Sequence, residues 1–288
     1  MHFHEITEVS QYVRLLKQSE EELDLCISAS TIKETYFFRE PAYLTLLTKQ
    51  LLVHMLQTQQ TITIVSIGCS IGAEPYSIAI AIEEAMGSNI LSRCKIIGFD
   101  VDKEALRKAR AGIFSSFALR NLSEARKNSY FRPLGGTLFE LKASIRRSVD
   151  FSFLSLLDSP KVAQIPLCDV MLYRNVSIYF DMDTRIQVFT ALSQRIAPNG
   201  ILITGATETL SHDLGIMELV NDQGFFYYRP HTVGVLQKPI ENVHNKLDIP
   251  HVKQQLQKTS SLDDVKKLAL QGEYEEALLQ LRTIDTNH

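Results

Sequence analysis

The segment Ile67-Gly-Cys-Ser-Ile-Gly-Ala-Glu-Pro-Tyr-Ser77 has the residue types of a ligand-holding turn. Small residues let the backbone approach a bound molecule, and a helix starting at Pro75 would favour negative groups at its N-terminus. Asp100 ends the next apolar stretch, Cys94-Lys-Ile-Ile-Gly-Phe99. A carboxylate there can accept hydrogen bonds from both hydroxyls of a ribose, so turn and acid together fit a nucleoside. The turn lacks the three glycines of a dinucleotide site, and GxxxxGK[ST] is absent, which argues against a P-loop.

Those residues need strands and helices to bring them together. Thr61–Ile67 is rich in β-branched residues and stops at Gly68, as a buried strand does. The following helix runs from Pro75 to about Met86 and closes at Gly87. Cys94–Phe99 reads as a second strand, Lys103–Ala111 as a helix stopped by Gly112, and Val149–Phe153 and Cys168–Tyr173 as further strands. Met182–Ala197 reads as a helix ended by Pro198-Asn199-Gly200, followed by a strand at Ile201–Thr204. Ile216–Val220, Phe225–Tyr228 and Thr232–Gln237 read as terminal strands.

Strand–helix alternation from Gly68 to Gly200 predicts an α/β fold with a doubly wound, mostly parallel sheet and an antiparallel hairpin at its end. Before it, residues 1–56 form a short N-terminal helical segment, with one or two helices in 1–30 and another from Pro41 to about Leu56. Gly135-Gly136 separates Tyr130–Leu134 from Thr137–Leu141, a hairpin within a small β-subdomain at about 128–150. The main domain covers 57–238. A polar linker follows at 239–260, then a helical hairpin at 261–288, where Ala269-Leu-Gln-Gly-Glu-Tyr-Glu-Glu-Ala277 resembles a tetratricopeptide repeat. A single such unit cannot bury its apolar face alone, so the hairpin is expected either to pack on the main domain or, the favoured reading, to continue past His288 in a longer protein.

The 288 residues carry 30 basic and 33 acidic side chains, a net charge of −3. That gives no overall basic field for nucleic acid. No apolar run approaches the ~20 residues that span a bilayer, so no membrane insertion is expected. Cys26, Cys69, Cys94 and Cys168 are scattered without a CxxC pair, which fits reduced thiols in the cytoplasm and no metal site. The first thirty residues hold six acids (Glu5, Glu8, Glu20, Glu21, Glu22, Asp24) against Arg14 and Lys17, read as a solvated acidic helix face. S-adenosylmethionine fits the turn and Asp100 best, since it offers an adenosine and no pyrophosphate.

Four blocks carry a more specific signal: Glu34-Thr-Tyr-Phe-Phe-Arg-Glu-Pro41, Gly68–Ser77, Gly98-Phe-Asp-Val-Asp102 and Tyr173-Arg-Asn-Val-Ser-Ile-Tyr-Phe-Asp181. A weaker fifth joins Ala197-Pro-Asn-Gly200 to Gly205-Ala-Thr-Glu208. In order and spacing, over about residues 30–237, they resemble the CheR family of S-adenosylmethionine-dependent protein-glutamate methyltransferases. The resemblance implies a class I methyltransferase-like fold and methyl transfer to glutamate carboxylates of a chemoreceptor or related signalling protein. The products would be a glutamate methyl ester and S-adenosyl-L-homocysteine. It places Thr35, Arg39, Gly68, Glu74, Asp100, Ser155, Leu156, Arg174 and Asn175 at the cofactor. Arg39 would also orient the acceptor carboxylate, and Tyr179 would face the methyl group. The reaction needs no general base, because a glutamate is ionised at neutral pH.

Lys33, Ala73, Ser155 and Tyr173 depart from the family's usual Asn, Glu, Asn and Cys. The N-terminal segment is shorter and more acidic than the family's receptor-docking helices, while basic residues gather at Arg120, Arg126, Lys127, Arg146 and Arg147. The competing expectation is a non-catalytic module that binds S-adenosylmethionine or scaffolds partners through its repeat-like hairpin. Small-molecule methylation is a third reading.

Overall fold

The computed structural model describes residues 9–31, 34–205, 208, 214–222 and 224–231. In chain order, α1 (Val9–Gln18) and α2 (Glu20–Ser30) precede α3 (Ala42–Leu46), one π-helical turn at Leu47–Leu51, and α4 (Leu52–Thr58). Next come β1 (Ile62–Ile67), α5 (Ala73–Met86), α6 (Ser88–Leu91), β2 (Cys94–Asp100) and α7 (Lys103–Ala111). The intervening stretch holds β3 (Ile113–Ser115), α8 (Glu124–Tyr130), β4 (Phe131–Gly135), β5 (Leu138–Leu141) and α9 (Ala143–Arg146). The chain continues through β6 (Val149–Phe153), α10 (Ser159–Val162), β7 (Cys168–Tyr173), a 3-10 turn at Ser177–Tyr179 and α11 (Met182–Ser193). It ends with β8 (Ile196–Thr204), β9 (Glu218–Asp222) and β10 (Phe225–Arg229).

Seven strands form one sheet in the order β6-β2-β1-β7-β8-β10-β9. The first five are parallel, while β10 runs antiparallel to both β8 and β9. This is the expected mostly parallel sheet with its antiparallel end. Strand order reverses between β1 and β7, so the loops after those two strands open a crevice at the switch point. Val65, Ile67, Met171 and Tyr173 face one buried layer, and Ile62, Ile64, Val170 and Leu172 face the other. Both faces of the sheet are therefore covered, as parallel sheets require.

Three boundaries differ from the sequence reading. The helix beginning at Met182 stops at Ser193, and β8 already starts at Ile196. Pro198-Asn199-Gly200 is absorbed as a shift in register against β7 between Cys168 and Val170. Gly200 belongs there because a Cβ would sit 2.8 Å from the Cys168 carbonyl. The hairpin of the small subdomain is present, but its sheet has three strands in the order β3-β5-β4. Its third strand, only three residues long, comes from upstream of the expected boundary and is too short to read from periodicity. The helix after Pro41 continues to Thr58 through the π turn, which sequence patterning does not signal.

The acidic α2 also has partners. Lys103 Nζ lies 2.6 Å from Glu20 Oε1 and 3.0 Å from Asp24 Oδ2. Asp102 caps α7 through the Ala105 N–H and accepts the hydroxyls of Ser28 and Thr31. Asp102 is buried, so this contact ties α2 to the strand end that bears Asp100. Lys33, the strand at Thr232–Gln237, the linker and the repeat-like hairpin lie outside the described residues.

Candidate active site

The glycine turn after β1 is built by its own backbone. Gly68 and Cys69 both donate their N–H groups to the Phe99 carbonyl, at 2.8 and 3.0 Å. Gly68 has φ +69, and a Cβ there would run into Val176 Cγ2 in the loop after β7. Only glycine lets the two switch-point loops meet so closely. Gly72, at φ +85, starts α5 in the same left-handed conformation, with a Cβ barred by Phe151 and Ala109.

Asp100 is locked into this turn. Its Oδ2 accepts the Ser70 N–H at 2.7 Å and its Oδ1 accepts the Asp102 N–H at 2.8 Å. Burial raises its pKa above the ordinary aspartate value, and the two backbone donors oppose that rise. The carboxylate is thus held rigidly at the end of β2, with lone pairs to spare.

The loop after β7 forms the floor. Arg174 has a buried guanidinium that spans two acids, 2.7 Å from Glu74 Oε2 and 2.8 Å from Glu40 Oε2, and lies 4.0 Å over the Tyr43 ring. Burial works against its charge, but Glu74 above all outweighs this and keeps it protonated. Glu74 takes its other bond from Ser66 Oγ at 2.8 Å. The Tyr43 hydroxyl is pushed up in pKa by burial and then by Glu74, so it stays neutral.

Beside it, Asn175 adopts φ +58, an unusual conformation for a residue with a side chain. The buried Glu208 explains it. Its carboxylate accepts the N–H groups of Asn175, Val176 and Ser177, the Ser177 hydroxyl and the Gly205 N–H. Gly205 makes room for it. In the sequence Glu208 stands only in the weaker fifth block, and nothing around it there points to a role. Its function depends on three consecutive N–H groups about thirty residues upstream, which only the fold presents.

The rim comes from the stretch before α3 and from the 3-10 turn. Arg39 donates to the Glu34 carbonyl at 2.9 Å, and its Nε lies 4.0 Å from Glu40. Tyr179 is half exposed, and burial of its hydroxyl raises the pKa while Arg39 opposes the shift. It therefore stays a neutral phenol.

Seven of the residues singled out from sequence line one cavity of about 260 Å³: Thr35, Arg39, Gly68, Glu74, Arg174, Asn175 and Tyr179. Asp100 lies directly beneath it through its bond to Ser70, which also lines the cavity. Ser155 and Leu156 do not line it; they follow β6, and Leu156 packs partly buried against the core. A larger hollow of about 800 Å³ runs along the outer edge of β6 and holds none of the seven. Among the described residues no cluster of three or more potential metal ligands occurs.

A parallel sheet reversing at β1 and β7, with a glycine turn and a ribose-competent acid at its carboxyl ends, defines an α/β fold of the class I methyltransferase type. The family model described as CheR methyltransferase, SAM binding domain matches residues 33–225. The chain belongs to that family and is an S-adenosylmethionine-dependent methyltransferase acting on a protein. It is 34% identical over 223 residues to chemotaxis protein methyltransferase 2 of Vibrio cholerae, covering 76% of this chain and 77% of that protein. It is 31% identical over 212 residues to the chemotaxis protein methyltransferase of Escherichia coli K12, covering 72% of each. A TehB-like SAM-dependent methyltransferase from Corynebacterium glutamicum matches at 12% identity with a TM-score of 0.36, over 78% of this chain and 100% of that one. That slight likeness adds nothing to the fold already described.

The residues present fit the cofactor. The glycine turn lines the cavity through Gly68, Cys69 and Ser70, beside Glu74, Arg174 and Asn175, and Asp100 offers a carboxylate fixed by two backbone N–H groups to two hydroxyls.

Proposed function

We propose that this chain methylates glutamate side chains of a chemoreceptor, in the cytoplasm. The names of its relatives support the receptor as acceptor. Four free cysteines support a reducing compartment. One observation supports turnover most directly: Arg39 and Tyr179 stand together on the rim of the cavity whose wall is the glycine turn.

S-adenosylmethionine supplies a methyl on a sulfonium, so a carboxylate C–O bond forms as the C–S bond breaks, and no proton moves. Gly68 and Asp100 hold the nucleoside end. Glu74 and Arg174 neutralise each other and keep the floor rigid, so Arg174 acts chiefly by positioning Glu74. Arg39 is placed to orient the acceptor carboxylate through its fork. Its grip must stay loose, because a tight ion pair would blunt the nucleophile. The Tyr179 phenol is placed to fix the direction of approach. Catalysis is then alignment and exclusion of water rather than acid–base chemistry. Retention of Arg39 and Tyr179 favours this over a scaffold that binds cofactor without turnover. The repeat-like sequence at Ala269–Ala277 supports a further protein partner.

The test uses the full chain, methyl-labelled S-adenosylmethionine and a purified cytoplasmic chemoreceptor fragment. Base-labile label on the fragment is the expected result. Label transferred equally well without any protein acceptor would overturn the reading.

A further inference from the structure

The cavity mouth has two apolar flanks. On one side Ile178, Tyr179 and Met182 are 47%, 55% and 54% exposed. On the other, the Arg120 guanidinium is sandwiched between two rings, 3.7 Å from the Tyr36 centroid and 4.0 Å from that of Phe117. Arg120 also donates to the Phe117 carbonyl at 2.9 Å and lies 3.7 Å from Glu34. Phe117 itself is 62% exposed, the highest exposure of any aromatic residue described with it on this rim. Tyr36, Arg39, Ile178 and Tyr179 all line the cavity, so the two flanks are continuous with the site.

An isolated exposed Phe needs no explanation, but this one is held in place by a stacked arginine and joined to the reaction cavity. Tyr and Arg are the residues that most often anchor protein interfaces. The charge points the same way. Arg39 and Arg120 put two cations at the mouth; Glu40, shared with Arg174, lies 4.0 Å from Arg39, and Glu34 lies 3.7 Å from Arg120 with an exposed carboxylate that an acceptor's acid can replace. Fixing Arg120 between two rings removes most of the rotamer entropy that binding would otherwise have to overcome.

We infer that the Phe117–Arg120–Tyr36 stack, with the Ile178–Met182 flank, is the docking shelf for an acidic amphipathic helix of the acceptor protein. Apolar residues of that helix straddle the mouth, and the glutamate between them enters the cavity toward Arg39. A second acid on the helix pairs with Arg120. The inference rests on the protein-glutamate reading of this site. It adds which surface selects the acceptor, and places that surface outside the acidic N-terminal helices.

The experiment titrates the cytoplasmic chemoreceptor fragment into the full chain saturated with S-adenosylhomocysteine, and runs the methyl-transfer assay in parallel. Phe117→Ala and Arg120→Ala are each expected to weaken fragment binding about tenfold or more. Affinity for S-adenosylhomocysteine should stay within twofold, which shows that the cavity and fold are intact. Arg120→Lys, which keeps the charge but not the planar stack, should recover only part of the loss. Fragment binding as tight in both alanine variants as in the parent overturns the shelf, even if the parent methylates the fragment. Absence of fragment binding by the parent also overturns it. Binding that depends on the shelf without methyl transfer supports the shelf and instead defeats the catalytic reading.

Discussion

The floor and the rim of this cavity are built on opposite plans. On the floor, Arg174 is clamped by Glu74 and Glu40 over Tyr43, and Glu208 gathers donors from four residues. Each of these charges is matched at hydrogen-bond distance, and Arg174 and Glu208 are themselves buried. On the rim, Arg39 holds only a carbonyl firmly, and Tyr179 and Ile178 are about half exposed. The cofactor side is fixed before anything binds, while Arg39 and Tyr179 at the mouth keep room to adjust. This division suits an enzyme with one fixed cofactor and a protein as acceptor.

The largest test of the contrast is to break the floor. Arg174→Met leaves the Glu74 carboxylate partly buried without its cation. Removing one partner of a buried pair costs about 3–5 kcal/mol. Urea denaturation should show a loss of that size, and calorimetry should show cofactor affinity falling with it. Adding Glu74→Gln to the same chain should restore part of the stability. A single variant as stable as the parent would mean the clamp is not what holds the loops.

Breaking the rim should leave the fold alone. Arg39→Ala loses a charge-assisted bond to the acceptor of about 1.5–3 kcal/mol, or roughly 10–100-fold in kcat/KM. Its stability should match the parent. Equal losses of stability in Arg39→Ala and Arg174→Met would erase the distinction drawn above.

How much of this was legible in the sequence follows the same division. The glycine turn and Asp100 were readable because their roles are local: a strand ends, a backbone turns, an acid follows at the next strand end. Arg39 and Tyr179 were readable only through a family resemblance, since nothing in their spacing alone says that they meet. Arg174 was expected at the cofactor, but its guanidinium is taken by partners 100 and 134 residues away in sequence. The part played by Glu208 was invisible for the same reason. Ser155 and Leu156, expected at the cofactor, follow β6 and are not among the residues lining the cavity. The β3 strand and the π turn were missed because each is too short for a period to show.

Asp100 belongs to the floor but can be probed by acid. Burial raises its pKa above the ordinary aspartate value. The ribose hydroxyls need the ionised form as acceptor, so cofactor affinity should fall as pH drops through a midpoint above the ordinary aspartate range, by about tenfold per pH unit below it. The sign for stability is opposite. A carboxyl whose folded pKa is raised costs stability while charged, and that cost is relieved as pH falls. Binding should therefore fail at this residue before the fold does. Calorimetry with S-adenosylhomocysteine across pH tests this, and Asp100→Asn should bind weakly with a flat profile.

The smallest effect is the one that best measures how loosely the rim works. Tyr179 stays a neutral phenol, because burial holds its proton even with Arg39 nearby. It can then contribute one neutral hydrogen bond and the bulk of its ring. Tyr179→Phe removes only the hydroxyl, worth about 1 kcal/mol, so kcat should fall roughly fivefold with KM and cofactor affinity unchanged. Tyr179→Ala removes the ring as well and should raise KM for the acceptor too. A thousandfold loss in Tyr179→Phe would mean that the hydroxyl is held as firmly as the floor, and the rim would then have to be described as preorganised in the same sense.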